Sequence, residues 1–395
     1  MMRLRGAPAL LLLLALSSAQ QTPLALFHFD PKTHPTSRCL DGSVAGFYYR
    51  ASPTNSSSWV VFLQGGGSCA TYADCSSRAK TALGSSTKWA PTFTDFDNLL
   101  SSDPSVNPAF ATAHHVFLPY CTGDVHIGAQ TAPLNASWPF FFSGHHNVAA
   151  LLAEFASPAG RLGGAFAAAR SLLLSGSSAG GMGTFLNAEF VKAGLPKAVD
   201  LRLAPQGGWF FPDVTLYPVW ASGGNVPVWE ALEGVSALWA PWITPACAAA
   251  FNTSYCISVG NMFRFVTSPA FVAENLVDSN QVFVQLLAPA AGPRLPAFLA
   301  YFHAAMAASL KQVRAAKGSG LWAPGCVAHT ENLRFSANGT LVEGVSYKNA
   351  LARWAAGGAV ELEDMCADPL PCNPTCPAKS ALQEGERWEG PLLTK

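Results

Sequence analysis

The clearest chemical pattern in this chain is the run Gly176 to Gly181, which reads Gly-Ser-Ser-Ala-Gly-Gly. It directly follows the apolar stretch Ser171 to Ser175, and the helix-like stretch Thr184 to Phe190 comes after it. A G-x-S-x-G pattern at a strand-to-helix turn is typical of a nucleophile elbow, because the glycines leave room around a serine held in a strained backbone. The pattern predicts that Ser178 is a catalytic nucleophile, and the alternative is an ordinary flexible turn.

A serine nucleophile needs a base that accepts its proton. In α/β-hydrolases the triad follows the chain order serine, acid, histidine. Of the nine histidines only His303 and His329 follow Ser178. His303 falls inside a predicted amphipathic helix, whereas His329 follows a loop-like Pro-Gly-Cys sequence. We therefore expect His329 to be the base, with an ordinary surface histidine as the alternative.

The acid of such a triad lies at the end of a late strand. The aspartates between the serine and the histidine are Asp200, Asp213 and Asp278. Asp278 alone follows a predicted strand, Phe271 to Leu276, whereas Asp200 precedes a strand and Asp213 opens an aromatic-rich segment. The order favours Asp278 as the acid, although an aspartate before Ser-Asn is also a typical helix N-cap.

Acyl transfer also needs donors for a negatively charged oxygen. One donor is expected at the backbone N–H of Ala179, the residue after the serine. The run Gln64 to Gly67 follows the predicted strand Trp59 to Leu63, and its three glycines let N–H groups face a ligand unobstructed. We expect this loop to supply the remaining donors, and a coincidental flexible loop is the alternative.

Neither the histidines nor the cysteines favour a metal site. The pairs His114–His115 and His145–His146 are adjacent in sequence, so their side chains diverge instead of chelating, and we interpret both pairs as structural. The tail cysteines lack paired C-x-x-C spacing, which favours disulfides over zinc. The predicted chemistry requires no metal and no organic cofactor.

The first 19 residues have the layout of a secretory signal peptide. Arg3 and Arg5 precede an apolar run from Ala7 to Leu16, and small residues up to Ala19 suggest cleavage there. The run is too short to span a bilayer, so we expect an exported protein without a stable membrane anchor. Ten cysteines and four glycosylation sequons fit that compartment. The sequons are at Asn55, Asn135, Asn252 and Asn338.

The cysteine spacing predicts both local and distant disulfides, although connectivity cannot be deduced from sequence. Cys69 with Cys75, Cys247 with Cys256, and the group Cys366, Cys372 and Cys376 are spaced like local loop closures, whereas Cys39, Cys121 and Cys326 need distant partners.

The overall charge argues against polyanionic partners. Lys plus Arg and Asp plus Glu both number 24, only 12% of residues are charged, and no basic run occurs. Nucleic acid and anionic membranes are therefore not expected partners. Oligomeric state is left open by the sequence.

The pattern of apolar runs predicts an α/β-hydrolase-like fold, with a mostly parallel sheet and helices on both faces. Residues 20–395 would form a single domain, with an irregular cap inserted around residues 212–260. An amphipathic helix is predicted over Arg294 to Ala316. The predicted strands are Trp59 to Leu63, Val116 to Tyr120, Leu172 to Leu174, Leu201 to Leu203 and Phe271 to Leu276.

On these residues the chain resembles the pectin acetylesterase and Notum family of secreted carboxylesterases over nearly all of its length after the predicted signal. The resemblance implies Ser178, Asp278 and His329 as the triad and Gly66, Gly67 and Ala179 as the oxyanion hole. The matching segments are Trp59 to Gly67 with Cys69 and Cys75, Tyr120 to Val125, Gly176 to Gly181, Gly208 to Phe210, Ser268 to Asp278, Ala323 to His329, and Cys372 to Pro377.

Three positions depart from the pattern of that family. Gln64 stands where a glutamate is usual, Gly67 and Ser68 stand where a tryptophan adjoins the glycine loop, and Gln206 replaces an acidic residue. The loss of an indole should widen or reshape the mouth of the site.

The resemblance implies removal of O-acetyl groups from an extracellular or cell-wall polysaccharide such as pectin, through an acyl-enzyme. One alternative is Notum-like removal of a fatty acyl group from a secreted protein, which requires a deep apolar acyl pocket. Trp209, Phe210 and Phe211 are candidates to line the substrate site in either case. The other alternative is an inactive hydrolase fold that serves as a binding protein.

Overall fold

The structure is a computed structural model that describes residues 21–95, 97–210, 228–285, 294–335, 339–366 and 371–377. The predicted signal peptide, the sequon at Asn338 and the first part of the predicted cap lie outside these residues. They remain predictions from the sequence.

Strands and helices alternate along the described chain. The strands are β1 (Leu24–His28), β2 (Gly46–Arg50), β3 (Ser58–Leu63), β4 (Thr92–Phe93), β5 (His114–Leu118), β6 (Ser171–Ser177), β7 (Asp200–Gln206), β8 (Phe271–Ala273), β9 (Val277–Asp278), β10 (Gly320–Ala323), β11 (Val327–Ala328), β12 (Leu341–Val342), β13 (Val345–Ser346) and β14 (Glu361–Glu363). The helices are α1 (Tyr72–Arg78), α2 (Gly144–Ala156), α3 (Gly163–Phe166), α4 (Ala179–Leu186), α5 (Ala188–Gly194), α6 (Val228–Trp239), α7 (Pro245–Ala248), α8 (Thr253–Cys256), α9 (Val259–Met262), α10 (Arg294–Ala315) and α11 (Tyr347–Ala355).

Ten strands form one sheet in the order β14-β10-β8-β7-β6-β3-β5-β2-β1-β4. Neighbours from β14 to β5 run parallel, and β2, β1 and β4 add an antiparallel edge. The predicted α/β-hydrolase-like class, with a mostly parallel sheet, is therefore confirmed. Because the carboxyl ends of parallel strands meet at one edge, loops from distant parts of the sequence converge there.

Both faces of the sheet are buried, as an apolar run without polar alternation requires. In β3, Trp59, Val61 and Leu63 point into one core, which includes side chains of α2 and α4. Val60 and Phe62 point into the opposite core, which includes side chains of α11. The helices thus cover the sheet on both sides.

Several predicted boundaries differ from those observed. β5 begins at His114 instead of Val116, because the His114 ring stacks on Trp59 with centroids 4.2 Å apart and so belongs to the core. The single helix predicted after the elbow is two helices, α4 and α5, which meet at Asn187. The amide of Asn187 donates to the Gly183 carbonyl at 3.0 Å and so caps the end of α4.

The strand predicted over Phe271 to Leu276 ends early, and this break shapes the site. β8 stops at Ala273, and the chain leaves the main sheet before forming β9. β9 pairs in parallel with β11 in a separate two-stranded sheet, in which Asp278 lies opposite Ala328. The break therefore places an aspartate beside the residue that precedes His329.

The predicted helix over Arg294 to Ala316 is confirmed by α10, which ends one residue earlier. The described part of the predicted cap, residues 228–260, contains α6, α7, α8 and the first two residues of α9, with non-helical segments between them. The indole N–H of Trp239 donates to the Cys69 carbonyl at 3.2 Å, which joins the end of α6 to the glycine loop region.

All ten cysteines form disulfides. The predicted local pairs Cys69–Cys75 and Cys247–Cys256 are confirmed. The three tail cysteines do not all pair locally, because Cys376 is the distant partner of Cys326. The remaining pairs are Cys39–Cys121, Cys326–Cys376 and Cys366–Cys372.

Gly180 permits the close approach of α4 to β3. A Cβ atom at this position would lie 2.0 Å from the Leu63 carbonyl oxygen, whereas a Cβ on Gly164 in α3 would meet nothing within 4 Å. We expect Gly180→Ala to lower the free energy of unfolding by about 3 kcal/mol. Gly164→Ala should be neutral or stabilise by up to about 1 kcal/mol. Urea unfolding of both variants tests this contrast, and equal effects would contradict it.

Candidate active site

Ser178 lies in the turn between β6 and α4, where it adopts φ +55° and ψ −121°. Positive φ is unusual for a residue with a Cβ and costs of order 1–3 kcal/mol, so surrounding structure must hold it. Its backbone N–H donates to the Gln206 carbonyl at 2.8 Å, which extends the β6–β7 ladder into the turn. The conformation is that of a nucleophile elbow.

Asp278 and His329 are brought together by the small sheet. The β9–β11 register sets Asp278 opposite Ala328, so His329 follows directly. The His329 carbonyl accepts from the Asn275 amide at 2.7 Å, and its N–H donates to Glu331 Oε2 at 2.8 Å. The backbone carbonyl and N–H of His329 are thereby both held by hydrogen bonds, independently of its side chain.

The side chains of Ser178, Asp278 and His329 form a continuous hydrogen-bonded row. His329 Nδ1 lies 2.8 Å from Asp278 Oδ2, and His329 Nε2 lies 2.7 Å from Ser178 Oγ. An ionised carboxylate only accepts hydrogen bonds, so Nδ1 carries the proton and Nε2 is left to accept from the serine hydroxyl. The row can carry a proton from serine to imidazole.

Burial and charge act in opposite directions on this row. Burial disfavours a charged imidazole, but the charge and hydrogen bond of Asp278 outweigh it and raise the pKa of His329. Burial would raise the pKa of Asp278, yet the charge and hydrogen bond of His329 help to hold it below its usual value. The Asp278 side chain has no exposed surface, and that of His329 is 13% exposed. The pair is therefore poised to stabilise an imidazolium.

The glycine loop after β3 lies against the nucleophile. A Cβ on Gly65 would be 2.4 Å from the Ser177 carbonyl oxygen and 3.1 Å from Ser178 Cβ. The next two residues, Gly66 and Gly67, adopt φ +137° and +67°, which disfavour other residues. The structure thus brings the predicted donor loop beside Ser178, and Ala179 follows the serine as the first residue of α4.

Two side chains that the sequence analysis did not single out hold this loop. The Arg78 guanidinium donates to the Gly66 carbonyl at 2.6 Å and lies over the Tyr120 ring, 5.6 Å from its centroid. His126 Nε2 lies 2.9 Å from the Gln64 carbonyl, to which it donates. Burial lowers the pKa of His126 to about 4, so it acts as a neutral donor. Neither residue carries a local motif.

The residues that depart from the family pattern have structural partners. The Gln64 side chain accepts from the Tyr120 N–H at 2.9 Å. Gln206 is buried, and its amide donates to Asn98 Oδ1 and to the Tyr347 hydroxyl, both at 3.0 Å. The backbone carbonyl of Gln206 also accepts from the Ser178 N–H, so Gln206 stabilises the turn that carries Ser178.

The two described aromatic candidates for substrate contact differ in position. Trp209 has no exposed surface, and its indole N–H donates to Ser309 in α10 at 2.9 Å. The expectation that its side chain lines the substrate site is therefore not met, because it is a core residue. Phe210 is half-buried and lies edge-on to the His329 ring, with centroids 6.2 Å apart. Phe211 lies outside the described residues.

The adjacent histidine pairs have structural surroundings. His115 is buried against Arg50 and the Phe110 carbonyl. His145 lies in the first turn of α2, where Nδ1 is 2.9 Å from Asn187 Oδ1 and the ring stacks on Trp242. Across the described ranges, no group of three or more His, Cys, Asp or Glu side chains is arranged to hold a metal ion.

Comparison with known proteins identifies relatives over most of the chain. The sequence profile described as pectinacetylesterase matches residues 17–377. Pectin acetylesterase 5 of Arabidopsis thaliana is 29% identical over 362 residues, which cover 86% of this chain and 81% of that protein. The palmitoleoyl-protein carboxylesterase notum1 of Xenopus laevis is 30% identical over 378 residues, 86% of this chain and 72% of that protein.

A solved structure extends this similarity to the fold. The structure described as the Wnt deacylase Notum from Drosophila superposes with a TM-score of 0.77 at 27% sequence identity. The alignment covers 90% of this chain and 100% of that one. The fold of this protein is thus similar to that of the whole of that chain.

The raised pKa of His329 predicts an acid limb in the pH dependence of ester hydrolysis. Below that pKa, kcat/KM for a nitrophenyl ester should fall about tenfold per pH unit, because protonated imidazole cannot accept the serine proton. The midpoint should lie above the usual histidine value of about 6.5. Asp278→Asn should move the midpoint to lower pH and reduce the plateau roughly 10⁴-fold. An unmoved midpoint in that variant would exclude Asp278 as the cause.

Proposed function

We propose that this chain, which belongs to the pectinacetylesterase family, is a secreted serine carboxylesterase that removes O-acetyl groups from an extracellular polysaccharide of the pectin type. As a member of that family it is a carboxylic ester hydrolase. The observation that carries the proposed mechanism is the hydrogen-bonded row of Ser178, His329 and Asp278.

In this mechanism Ser178 Oγ attacks the ester carbonyl while His329 Nε2 accepts its proton. Asp278 holds the imidazole tautomer and stabilises the imidazolium. The N–H groups of Ala179, Gly66 and Gly67 would hold the tetrahedral oxyanion, where a single donor typically contributes 10²–10³ in kcat. His329 then protonates the leaving alcohol. Water attacks the acyl-enzyme as His329 accepts its proton, and the second tetrahedral intermediate collapses to release the carboxylic acid while His329 returns the proton to Ser178 Oγ.

The proposed polysaccharide substrate rests on the family match and on an exposed rim formed by the loop after β3 and the start of α1. Gly66, Gly67 and Ser68 in that loop are exposed and carry little or no side chain. The exposed Tyr72 follows at the start of α1 and contacts Trp138 edge-on, with centroids 5.9 Å apart. Such a rim could admit an extended sugar chain next to the ester.

A second candidate is removal of a long fatty acyl group from a protein. The structural similarity to Drosophila Notum over 90% of this chain favours it, as does the Phe210 ring beside His329. This activity would require a deep apolar pocket for the acyl chain. The two candidates therefore predict opposite dependence on acyl length.

Secretion is proposed from the predicted signal peptide and the disulfides. Five disulfides are typical of an oxidising compartment. Asn55, Asn135 and Asn252 are exposed, so these sequons are open to glycosylation. Within the described ranges, the chain has no helix that meets the length and hydropathy needed to cross a membrane.

Labelling with a fluorophosphonate tests whether Ser178 is a nucleophile. The wild type should label, and Ser178→Ala should not, because the probe reacts only with an activated hydroxyl. Ser177→Ala is the matched control, since it removes the neighbouring hydroxyl and should retain labelling. A wild type that does not label would favour the inactive binding protein.

A series of nitrophenyl esters from acetate to palmitate separates the two substrate classes. We expect kcat/KM for acetate to exceed that for long chains by at least tenfold, since even one methylene is worth roughly 10–200-fold in a fitted pocket. Acetate release from acetylated glycans should accompany it and should be lost in Ser178→Ala. A preference for palmitate without acetate release would support the fatty-acyl candidate instead.

A further inference from the structure

Glu274 is a fully buried carboxyl group that adjoins the proposed triad and has no part in it so far. It lies in the break between β8 and β9, with no exposed surface. Its Oε2 accepts from the Trp209 backbone N–H at 2.8 Å. Asp278 lies four residues further along the chain, and burial, the negative charge of Asp278 and a hydrogen bond between the two carboxyl groups raise the pKa of Glu274. Two buried carboxyl groups therefore share one site.

The hydrogen bonds of the pair determine which group holds a proton. Asp278 Oδ1 accepts from the N–H groups of Asn280 and Gln281 at 2.8 and 3.0 Å, and Oδ2 faces His329 Nδ1. These three donors favour an ionised Asp278. Glu274 Oε1, in contrast, receives no donor from any residue in the described ranges. An oxygen that is buried without a donor beside a carboxylate fits a hydroxyl group that donates.

Electrostatics favours the same assignment. Burial and the neighbouring negative charge of Asp278 both raise the pKa of Glu274 well above its usual value. Beyond Asp278, the titratable group that contacts the pair is His329 on the β11 side, and Glu331 in turn acts on His329. His303 lies on α10, which packs against β9.

We propose that Glu274 is a neutral carboxylic acid in the folded protein, and that its hydroxyl group donates a hydrogen bond to Asp278, which it orients toward His329. Glu274 is a positioning residue, because it acts through Asp278. Its effect on catalysis rests on the proposed function, whereas its protonation does not. The hydrogen bond spreads the charge of Asp278, so it also limits how far Asp278 raises the basicity of His329.

Two substitutions separate the features of this group. Glu274→Gln retains an acceptor for the Trp209 N–H and a neutral donor for Asp278, but it cannot ionise. Glu274→Leu keeps a similar volume and supplies no donor. Glu361→Gln makes the same chemical change on the exposed edge strand β14 and serves as the control.

The first measurement is stability against pH, by urea unfolding with the disulfides intact. When folding raises the pKa of a group, the contribution of that group to the free energy of unfolding is complete below the unfolded pKa. It is lost as the pH rises from the unfolded to the folded pKa. The folding equilibrium constant of wild type relative to Glu274→Gln should therefore fall about tenfold per pH unit above the usual glutamate pKa of about 4.3. The ratio of wild type to Glu361→Gln should show no such fall, because both proteins keep Glu274. A flat ratio for both variants would overturn the neutral Glu274.

The second measurement is the pH profile of kcat/KM for a nitrophenyl ester. Glu274→Leu should move the acid limb to higher pH, because Asp278 without its donor attracts the imidazolium more strongly. Glu274→Gln should leave the midpoint of the acid limb unchanged, because its amide group still donates a hydrogen bond to Asp278. Superimposed profiles for wild type and Glu274→Leu would overturn the positioning role. Absence of esterase activity in the wild type would instead refute the proposed function, and the stability ratio would still test Glu274.

Discussion

The hydrogen bond between His329 Nε2 and Ser178 Oγ is the contact on which the rest of the site depends. It joins two residues that are 151 positions apart, at a distance of 2.7 Å. Such a contact forms only if β6 and the small β9–β11 sheet end at the same edge of the fold. The parallel register of β6, β7 and β8 meets this condition, since their carboxyl ends point the same way.

Close backbone approach is the second constraint. The elbow requires β3, β6 and α4 to contact one another at distances that only glycine permits, as at Gly65 and Gly180. The glycine loop has little side-chain packing of its own, so its shape is held from outside by Arg78 and His126. Small residues create the space, and distant polar side chains stabilise the conformation that uses it.

The site concentrates buried charge in a chain in which only 12% of residues are charged. Asp278 and Glu274 are both fully buried. Asp278 accepts from Asn280, Gln281 and His329, whereas Glu274 accepts from the Trp209 N–H through Oε2 alone. Buried carboxyl groups are costly unless they are paired, hydrogen-bonded or neutral. Asp278 is paired with His329, and Glu274 fits the neutral state, so both solutions occur in one small region.

The fold class, the long helix over residues 294–316, to within one residue, and two local disulfides could be predicted from the sequence. The sequence also predicted that Ser178, Asp278 and His329 would lie together, as their hydrogen bonds show. These features follow from local spacing: apolar runs, flanking glycines and the order of a few polar residues. Long-range contacts determine the early end of β8, the division of the helix after the elbow, the pairing of Cys326 with Cys376 and the burial of Trp209. The roles of Arg78, His126 and Glu274 likewise became visible only in the tertiary structure. Each depends on contacts between segments far apart in sequence, and such contacts leave no local pattern from which they could be predicted.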